Sequence, residues 1–465
     1  MTVKANRTVP ESVDVLIVGA GAAGLYLLHR LRTAGFRAKC VEQAGGVGGT
    51  WYWNRYPGAR CDVESMRYSF GFDEALQQEW EWTERYATQP ESLRYLNHVA
   101  DRFDLRRDIA FETRVTSARF DEEAARWEIE TDTAGSISAA YCVMATGCLS
   151  AAKEPRIEGL QSFEGDLYWT SRWPHEPVDF SGLRVGVIGT GSTGIQAIPV
   201  IAERAEHLFV FQRTAQYAVP ARNRPLDPDE VRAIKAEYAS LRALLKSTAT
   251  GDVFSARDVS AVEVPAEERT REFEARWREG GIGFMASFRD LVSNIDANRA
   301  AQEFVKAKIR ATVEDPEVAE RLCPDDIFGG RRLCLDNGYF ETFNRPDVTL
   351  VDVSKTPISA VTPEGVDVDG KLYAIDALVL ATGFDAMTGA LDRIDIRGRE
   401  GKPLRDKWAA GPRTYLGLAV AGFPNLFIVT GPGSPSVLTN MMTSIEQHVD
   451  WIADCLEHLR RIGAR

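Results

Sequence analysis

The chain has 465 residues, 44% of them hydrophobic, and a formal net charge of −12. A chain of this length is too long to fold around a single hydrophobic core, so we expect two or three domains. The negative net charge argues against a nucleic-acid-binding surface. No apolar run has the length of a membrane span, and we expect a cytoplasmic protein. Seven cysteines without a C-x-x-C pair and six histidines without an H-E-x-x-H motif favour neither a disulfide framework nor a metal site.

The first recognisable unit is a strand, a glycine turn and a helix. Residues 13–18 form an apolar run typical of a strand buried on both faces of a parallel sheet. Gly19, Gly21 and Gly24 follow in G-x-G-x-x-G spacing. In this spacing the first glycine makes the turn, the second admits a pyrophosphate and the third lets the helix pack closely. A dinucleotide site is therefore predicted at this turn.

Glu42 indicates the kind of dinucleotide. It ends a second strand, residues 38–42, about 20 residues beyond the glycine turn, where a carboxylate accepts hydrogen bonds from both ribose hydroxyls of an adenosine. The same carboxylate would repel a 2′-phosphate. The first ligand is therefore expected to be FAD or NAD rather than NADP.

A loop dense in glycine and aromatic residues follows at 45–65. This composition suits a loop that wraps a flat ring system, and a buried aromatic cluster without a ligand is the alternative. A helix is expected over 91–103, and alternating strands over 111–129. Residues 140–147 form another buried strand that ends in Ala-Thr-Gly. At such a strand end a two-dinucleotide flavoprotein leaves its first nucleotide domain.

A second strand, glycine turn and helix begin at residue 183. The turn contains Gly189, Thr190, Gly191, Ser192, Thr193 and Gly194. The next strand, residues 207–212, is followed by Arg213 and Thr214 instead of an acidic residue. A guanidinium matches the oxygens of a 2′-phosphate, so the second cofactor is expected to be NADPH. An ordinary exposed cation is the alternative interpretation of Arg213.

The remaining chain completes both nucleotide domains. Residues 227–326 lose the strand pattern and indicate a helical insertion. A second buried strand then ends in Ala381, Thr382 and Gly383. Residues 425–460 are typical of a strand, a loop and a helix that return to the first domain.

The predicted fold class is therefore α/β, with two Rossmann-like dinucleotide-binding domains and a helical insertion in the second. The FAD-binding domain is predicted to comprise residues 1–150 and 390–465. The NADP-binding domain is predicted to comprise residues 151–226 and 327–389, with the insertion at residues 227–326.

The segment between the two units is specific to one family. Phe163, Gly165, Trp173 and Pro174 match a fingerprint, F-x-G-x-x-x-H-x-x-x-W followed by Pro or Asp, of the flavin-dependent Baeyer-Villiger monooxygenases, which the chain resembles. Trp169 stands where the fingerprint has His. Further matches are G-G-T-W-Y-W-N-R-Y-P-G-A-R-C-D at residues 48–62 and N-G-Y-F-E-T-F-N-R at residues 337–345. The resemblance extends from residue 13 into the last predicted helix.

The resemblance implies an activity. Enzymes of this family carry FAD, are reduced by NADPH and use O2 to insert one oxygen atom next to a ketone carbonyl through a C4a-peroxyflavin, which gives an ester or lactone. In this chain it implies Arg332 as the active-site arginine, Asp62 as its acidic partner and Arg331 as a contact of the NADPH phosphate. It also implies cofactor contacts, in and just after the aromatic loop, from Gly49, Thr50, Trp51 and Tyr68.

Two departures from the family bear on function. In the family the fingerprint His is usually treated as part of the linker that couples domain motion to NADPH use. Trp169 can fill the space of this His, but an indole lacks the second ring nitrogen of an imidazole. The family's further C-terminal segment, part of which usually folds over the substrate pocket, has no match in this chain. From Trp169 we expect an activity that is impaired without being abolished, and from the second departure an effect on pocket closure and substrate range.

Two other functions remain open. An N- or S-oxygenating flavin monooxygenase shares this architecture but needs no guanidinium beside the flavin, and a catalytically poor flavin- and NADPH-binding protein fits both departures. A disulfide reductase is disfavoured because no redox-active cysteine pair follows the first glycine turn. The expected partners are a small-molecule ketone and O2, without nucleic acid, membrane or metal, in a monomer or a weak homo-oligomer.

Overall fold

A computed structural model describes residues 10–254 and 256–464 of the chain. Over these residues the strands are β1 (Ser12–Val18), β2 (Ala38–Val41), β3 (Ile109–Ala110), β4 (Val115–Asp121), β5 (Arg126–Thr131), β6 (Ser136–Met144), β7 (Asp166–Trp169), β8 (Arg184–Ile188), β9 (His207–Gln212), β10 (Ala218–Pro220), β11 (Cys334–Asp336), β12 (Val348–Asp352), β13 (Ala360–Thr362), β14 (Gly365–Val368), β15 (Lys371–Ala374), β16 (Ala377–Leu380), β17 (Asp395–Arg397) and β18 (Leu426–Ile428).

The α-helices connect these strands and cover their faces. They are α1 (Ala22–Thr33), α2 (Thr50–Trp53), α3 (Glu74–Glu79), α4 (Gln89–Arg102), α5 (Ser192–Ala202), α6 (Pro228–Ala236), α7 (Tyr238–Ser247), α8 (Ala266–Glu279), α9 (Ile295–Thr312), α10 (Pro316–Leu322), α11 (Tyr339–Thr342), α12 (Gly389–Asp392), α13 (Leu404–Lys407) and α14 (Met441–Arg461).

The first sheet has the order β17-β4-β5-β6-β1-β2-β3, with β18 also paired to β6. Strand β1 lies between β2 and β6 and runs parallel to both. Successive side chains of a strand point to opposite faces. Val15 and Ile17 accordingly join one hydrophobic core, while Leu16 and Val18 join another on the opposite face. This double burial explains why β1 is apolar from Val15 to Val18.

Late segments of the chain return to this first sheet. Strand β17 pairs parallel with β4, and β18 pairs parallel with the second half of β6. Helix α14 packs on α1, where the Tyr26 hydroxyl donates to Asp450 at 2.5 Å and Arg30 forms an ion pair with Asp454 at 3.1 Å. Two strands and a helix beyond residue 390 therefore lie against the first sheet and its first helix.

The second sheet, β12-β9-β8-β16-β7, is parallel throughout. Its central strand β8 leads through the second glycine turn into α5, as β1 leads into α1. Parallel strands joined by helices define the doubly wound arrangement of dinucleotide-binding folds. The predicted α/β class with two Rossmann-like sheets is confirmed.

Helices α6 to α10 lie between β10 and β11, a two-stranded parallel pair separate from both large sheets. Their core is aromatic, and its fully buried members include Phe273, Phe284, Phe288 and Phe328. The antiparallel sheet of β13, β14 and β15 was not predicted. Its strands have only three or four residues each, too few to show a period.

The domain boundaries stated above stay a proposal. The return of β17 and β18 to the first sheet supports placing residues 390–465 with residues 1–150. Residues 1–9, Ser255 and Arg465, which those boundaries include, lie outside the described residues. No helix within the described part of the chain is both long and apolar enough to cross a membrane.

Trp127 joins the antiparallel side of the first sheet to the late segment of the chain. Its indole is fully buried, and its Nε1 donates to the Pro424 carbonyl at 2.9 Å. We expect Trp127→Ala to lower the free energy of unfolding by roughly 3–5 kcal/mol, because it leaves a cavity and an unpaired carbonyl. Trp127→Phe, which keeps a ring, should lose less. Denaturant unfolding of both variants checks this, and a parental midpoint for Trp127→Ala would contradict it.

Candidate active site

The two glycine turns have the same geometry. Gly19 has φ +107° and Gly189 has φ +111°, a conformation that side chains other than glycine rarely adopt. A Cβ atom at Gly19 would lie 2.6 Å from the Ala145 carbonyl oxygen, and one at Gly189 would overlap the carbonyl oxygen of Ala381. Each turn is therefore pressed against the strand that ends in Ala-Thr-Gly. Space and backbone conformation both require glycine at these two positions.

The third glycine of each motif allows close helix packing. A Cβ atom at Gly24 would overlap the Gly19 carbonyl oxygen, and one at Gly194 would overlap that of Gly189. Because neither position has room for a side chain, α1 and α5 begin directly against their strands. This is the close packing for which the third glycine was predicted.

The second glycine of each motif opens a helix whose first turn has no side-chain cap. Gly21 precedes α1, and Gly191 precedes α5, where Ser192 and Thr193 form the first turn. The two second glycines differ in the space around them. A Cβ atom added at Gly21 would lie 3.4 Å from the Cα of Gly49, whereas one added at Gly191 would have nothing within 4 Å. Uncapped N–H groups fit a pyrophosphate, and at Gly191 the space beside them is open.

Glu42 is buried at the end of β2, with 5% of its surface exposed. Its two oxygens accept from the backbone N–H groups of Ala20 at 2.7 Å and Ala44 at 2.8 Å. Burial raises the pKa of the Glu42 carboxyl, while these hydrogen bonds favour its charged form. A carboxylate can accept about four hydrogen bonds, so each oxygen keeps capacity for a ribose hydroxyl. The structure thus places Glu42 beside the first glycine turn, where its predicted role requires it.

Arg213 and Thr214 are exposed at the end of β9. Among the described residues the Arg213 guanidinium has no hydrogen-bond or ion-pair partner, so its donors are available. The backbone carbonyl of Thr214 accepts from Thr190 Oγ1 at 3.0 Å, which ties this strand end to the second glycine turn. An uncommitted guanidinium next to an uncapped helix start fits an adenosine 2′-phosphate.

Arg332 and Asp62 form a two-pronged ion pair. Arg332 Nε donates to Asp62 at 2.6 Å and Nη2 at 2.9 Å, while Nη1 donates to the Val437 carbonyl. Side-chain exposure is 28% for Arg332 and 25% for Asp62, so the pair is screened from much of the solvent. Burial opposes the charge on Arg332, but the Asp62 carboxylate outweighs it and raises the pKa of the guanidinium. Arg332 therefore stays cationic.

Arg331, the neighbour of Arg332, pairs with a different carboxylate. Its side chain is 53% exposed and lies 3.2 Å from Asp326. An exposed ion pair of this kind is worth at most about 1 kcal/mol, so Arg331 can exchange Asp326 for another anion. The two adjacent arginines are thus suited to different partners.

The aromatic loop packs next to the first glycine turn. Gly49 lies beside Gly21, and Thr50 and Trp51 begin the short helix α2. Trp51 Nε1 donates to the Tyr68 hydroxyl at 3.2 Å, with the two rings edge to face. Burial raises the pKa of the Tyr68 phenol, which therefore remains protonated. The structure brings together the loop residues that the resemblance implies.

The second Ala-Thr-Gly segment connects two parts of the chain. Ala381 supports the glycine turn as described above, Thr382 Oγ1 donates to the Lys153 carbonyl at 3.2 Å, and the Gly383 carbonyl accepts from Lys153 N–H at 3.1 Å. Residue 153 lies just beyond the first Ala-Thr-Gly. The two strand ends that leave the nucleotide sheets therefore meet.

Trp169 ends the edge strand β7, opposite Leu380 of β16. Its indole is half-buried, and the Arg172 guanidinium lies over it, 4.8 Å from the ring centroid. Trp173 stacks on Tyr168 at 5.2 Å. The fingerprint segment is therefore anchored by aromatic contacts, and Trp169 takes part in a cation–π contact.

Gln196 of α5 makes a contact that the sequence did not predict. Its side chain accepts from the Tyr56 hydroxyl at 2.9 Å and donates to the Arg60 carbonyl at 3.1 Å. A Cβ atom at Gly58, in the same loop, would overlap the Gln196 backbone carbonyl. The helix that begins at the second nucleotide turn is therefore fastened to the loop that leads into Asp62.

This geometry defines a flavoprotein oxidoreductase with two dinucleotide sites. The chain matches the sequence profile of the pyridine nucleotide-disulphide oxidoreductase family over residues 16–275. It is 44% identical to a Baeyer-Villiger monooxygenase of Pseudooceanicola batsensis over 464 residues. This alignment covers 99% of this chain and 84% of that protein. The chain belongs to the Baeyer-Villiger monooxygenases, an FAD- and NADPH-dependent group with the two-nucleotide fold.

Solved structures agree with this assignment. An oxidised steroid monooxygenase bound to NADP is 55% identical, with a TM-score of 0.94 over 97% of this chain and 87% of that one. A complex of OTEMO with FAD and NADP is 42% identical, with a TM-score of 0.95 over 97% of this chain and 86% of that one. The cofactors FAD and NADPH are therefore confirmed.

A relative of similar identity is named for a different oxygenation. The phenazine N-monooxygenase PhzNO1 of Lysobacter antibioticus is 43% identical over 447 residues, which is 95% of this chain and 82% of that protein. Transfer of oxygen to a ring nitrogen is thus compatible with this degree of identity. The acceptor atom has to be argued from the site.

The repeated turns allow a reciprocal test. Gly21→Val should yield protein depleted of FAD, because the added methyl groups occupy the approach of the pyrophosphate, and Gly191→Val should keep FAD but lose NADPH affinity. Glu42→Ala should also deplete FAD, with the exposed Glu128→Ala as its matched control. Flavin absorbance per protein and NADPH titration measure both properties. Full flavin occupancy in Gly21→Val would show that the flavin lies elsewhere.

Proposed function

We propose that this chain uses NADPH and O2 to insert one oxygen atom next to the carbonyl of a ketone, giving an ester or lactone, with Arg332 and Asp62 as the catalytic pair. The observation that carries the proposal is the orientation of Arg332. A guanidinium has five N–H groups, and three of them donate to Asp62 and Val437. Two N–H groups remain for an oxygen of the reacting molecules.

Those two donors suit the charge that the reaction develops. When a carbonyl carbon is attacked, negative charge accumulates on the carbonyl oxygen, and fixed donors stabilise that charge more than they stabilise the neutral ketone. Arginine remains protonated at every physiological pH, so it stabilises the oxygen without transferring a proton to it. Bound FAD, once reduced by NADPH, supplies the activation of O2.

Asp62 acts through Arg332. Its two oxygens fix the plane of the guanidinium, as a bidentate carboxylate does. The third contact, to the Val437 carbonyl, comes from a separate segment of the chain and prevents rotation about the axis of the Arg332–Asp62 pair. We assign Asp62 to the orientation of Arg332.

Arg213, Thr214 and Arg331 are proposed to hold the NADPH phosphate. Arg213 is exposed and unpaired among the described residues, and Arg331 has only the exposed Asp326 as a partner. Both guanidinium groups can therefore turn to a phosphate without leaving a buried carboxylate uncompensated.

Oxygenation of nitrogen is the second candidate function. The identity to the phenazine N-monooxygenase favours it, since that relative aligns over nearly the whole chain. The fixed guanidinium argues for the ketone, because an amine develops no oxyanion for Arg332 to stabilise. The cytoplasmic location and the monomeric or weakly oligomeric state stay predictions.

Arg332→Ala tests the catalytic assignment. We expect FAD binding and NADPH-dependent flavin bleaching to persist, while ester formation falls about a hundredfold to a thousandfold, the usual loss when one preorganised oxyanion donor is removed. Arg332→Lys should stay strongly impaired because an ammonium cannot reproduce the fork. Asp62→Ala should show a weaker loss.

Product must be quantified by chromatography alongside NADPH consumption, because an uncoupled enzyme consumes NADPH without forming ester. Cyclic, linear and aryl ketones and phenazine serve as parallel substrates. If Arg332→Ala formed ester at the parental rate, the residue would be structural and the proposed chemistry would need another group.

Arg213→Ala tests cofactor choice. The Michaelis constant for NADPH should rise at least about tenfold, since a charge-assisted phosphate contact is worth roughly 1.5–3 kcal/mol, and the constant for NADH should barely change. Arg204→Ala, an exposed arginine of the same domain, is the matched control. Equal losses with NADPH and NADH would place the 2′-phosphate elsewhere.

A further inference from the structure

Arg67 lies where three separate segments of the chain meet. Its Nη1 donates to Asp252 Oδ1 at 2.5 Å and to the Val253 carbonyl at 3.0 Å, both in the loop after α7. Its Nη2 forms an ion pair with Glu64. The guanidinium therefore links the loop that follows Asp62 to the helical region between β10 and β11.

The backbone of Arg67 is held by two further side chains. Its carbonyl accepts from Arg242 Nη1 of α7 at 3.3 Å and from Asn440 Nδ2 at 3.0 Å. Asn440 is also the N-cap of α14, where its side chain accepts from Met442 N–H at 3.1 Å. We call Arg67, Asp252, Glu64, Arg242 and Asn440 the Arg67 junction.

The loop that contains Asp252 is buried and hydrogen-bonded to the start of α14. Gly251 and Asp252 are both buried, and Asp252 is 4% exposed. The Thr250 carbonyl accepts from Asn440 N–H at 2.8 Å, and the Gly251 carbonyl accepts from Thr443 Oγ1 at 3.1 Å. This loop thus contacts the start of α14 as well as Arg67.

Both partners of the Arg332 guanidinium are attached to this junction by short stretches of chain. Asp62 lies five residues before Arg67, and Val437 lies three residues before Asn440. The hydrogen bond between Asn440 and Arg67 closes the two stretches into one unit. A shift of the junction must therefore change the spacing between the Asp62 carboxylate and the Val437 carbonyl.

The charges of Arg67 and Asp252 fix the position of the loop that contains Asp252. Burial raises the pKa of Asp252, and Arg67 is the cation that opposes this effect. A buried carboxylate without its cation is strongly unfavourable, so the loop cannot sit in place unless Arg67 meets it. Glu64 extends the network to Arg85 at 2.9 Å, and Arg85 donates in turn to the Glu279 carbonyl at the end of α8.

We propose that Arg67 and Asp252 are positioning residues, through which the helical region sets the spacing of the two groups that orient Arg332. The inference rests on the proposed function, because its consequence is the coupling of NADPH oxidation to ester formation. Among the described residues Arg67 forms no hydrogen bond or ion pair with Asp62 or Arg332, and its side chain is engaged by Asp252, Val253 and Glu64. Its effect on oxygen transfer is therefore indirect.

The test compares Arg67→Met with the parent in the full-length, FAD-loaded protein. Ester formed per NADPH consumed should fall about tenfold, within the range that a small misplacement of a catalytic group causes, with a matching gain of hydrogen peroxide. NADPH consumption should stay within about twofold of the parent. Backbone amide exchange should rise in residues 64–71 and 248–254.

Further variants separate positioning from stability. Asp252→Asn keeps the shape of the side chain and should reproduce the coupling loss, and Arg67→Lys should restore it in part because an ammonium can reach one carboxylate. Glu263→Gln breaks the exposed ion pair to Arg289 in the same region and should behave as the parent. Melting temperature and flavin content are measured for every variant, and coupling is calculated on the flavin-loaded fraction.

The outcomes are distinct. A parental ratio of ester to NADPH in both Arg67→Met and Asp252→Asn, with a lowered melting temperature, would show a purely structural clamp and overturn the inference while the proposed function stands. A parent that forms no ester from any ketone overturns the proposed function, and this inference with it.

Discussion

The forked ion pair between Arg332 and Asp62 is the contact on which the site depends. It joins residues 270 positions apart, one in the segment before β11 and one in the loop after α2. Two N–H donors on one carboxylate fix the plane of the guanidinium as well as its place. The direction of the two remaining donors therefore follows from how the fold spaces these segments.

Gln196 and Arg67 hold the Asp62 segment from opposite ends. Gln196, on the helix that begins at the second nucleotide turn, fastens residues 56–60, and Arg67 fastens the chain five residues after Asp62 to the helical region. The nucleotide helix and the helical region thus converge on one carboxylate. A site composed of loops acquires in this way the rigidity that preorganised donors require.

Local patterns carried most of what could be predicted. Both glycine turns and Glu42 were found because each belongs to a strand, turn and helix of contiguous residues, and the Arg332–Asp62 pair came from a family resemblance. The Val437 carbonyl and the Arg67–Asp252 pair could not be found in this way. A backbone carbonyl has no sequence signal, and Arg67 and Asp252 are 185 positions apart in loops without periodicity.

The pairing of β18 with β6 affects how the chain folds during synthesis. The second half of β6, residues 142–144, gains this neighbour only when residues 426–428 have been translated. At typical elongation rates of about 5–20 residues per second, that interval is on the order of tens of seconds. Until then the newly made sheet has an open edge beside the first glycine turn, and chaperones or other nascent chains can reach it.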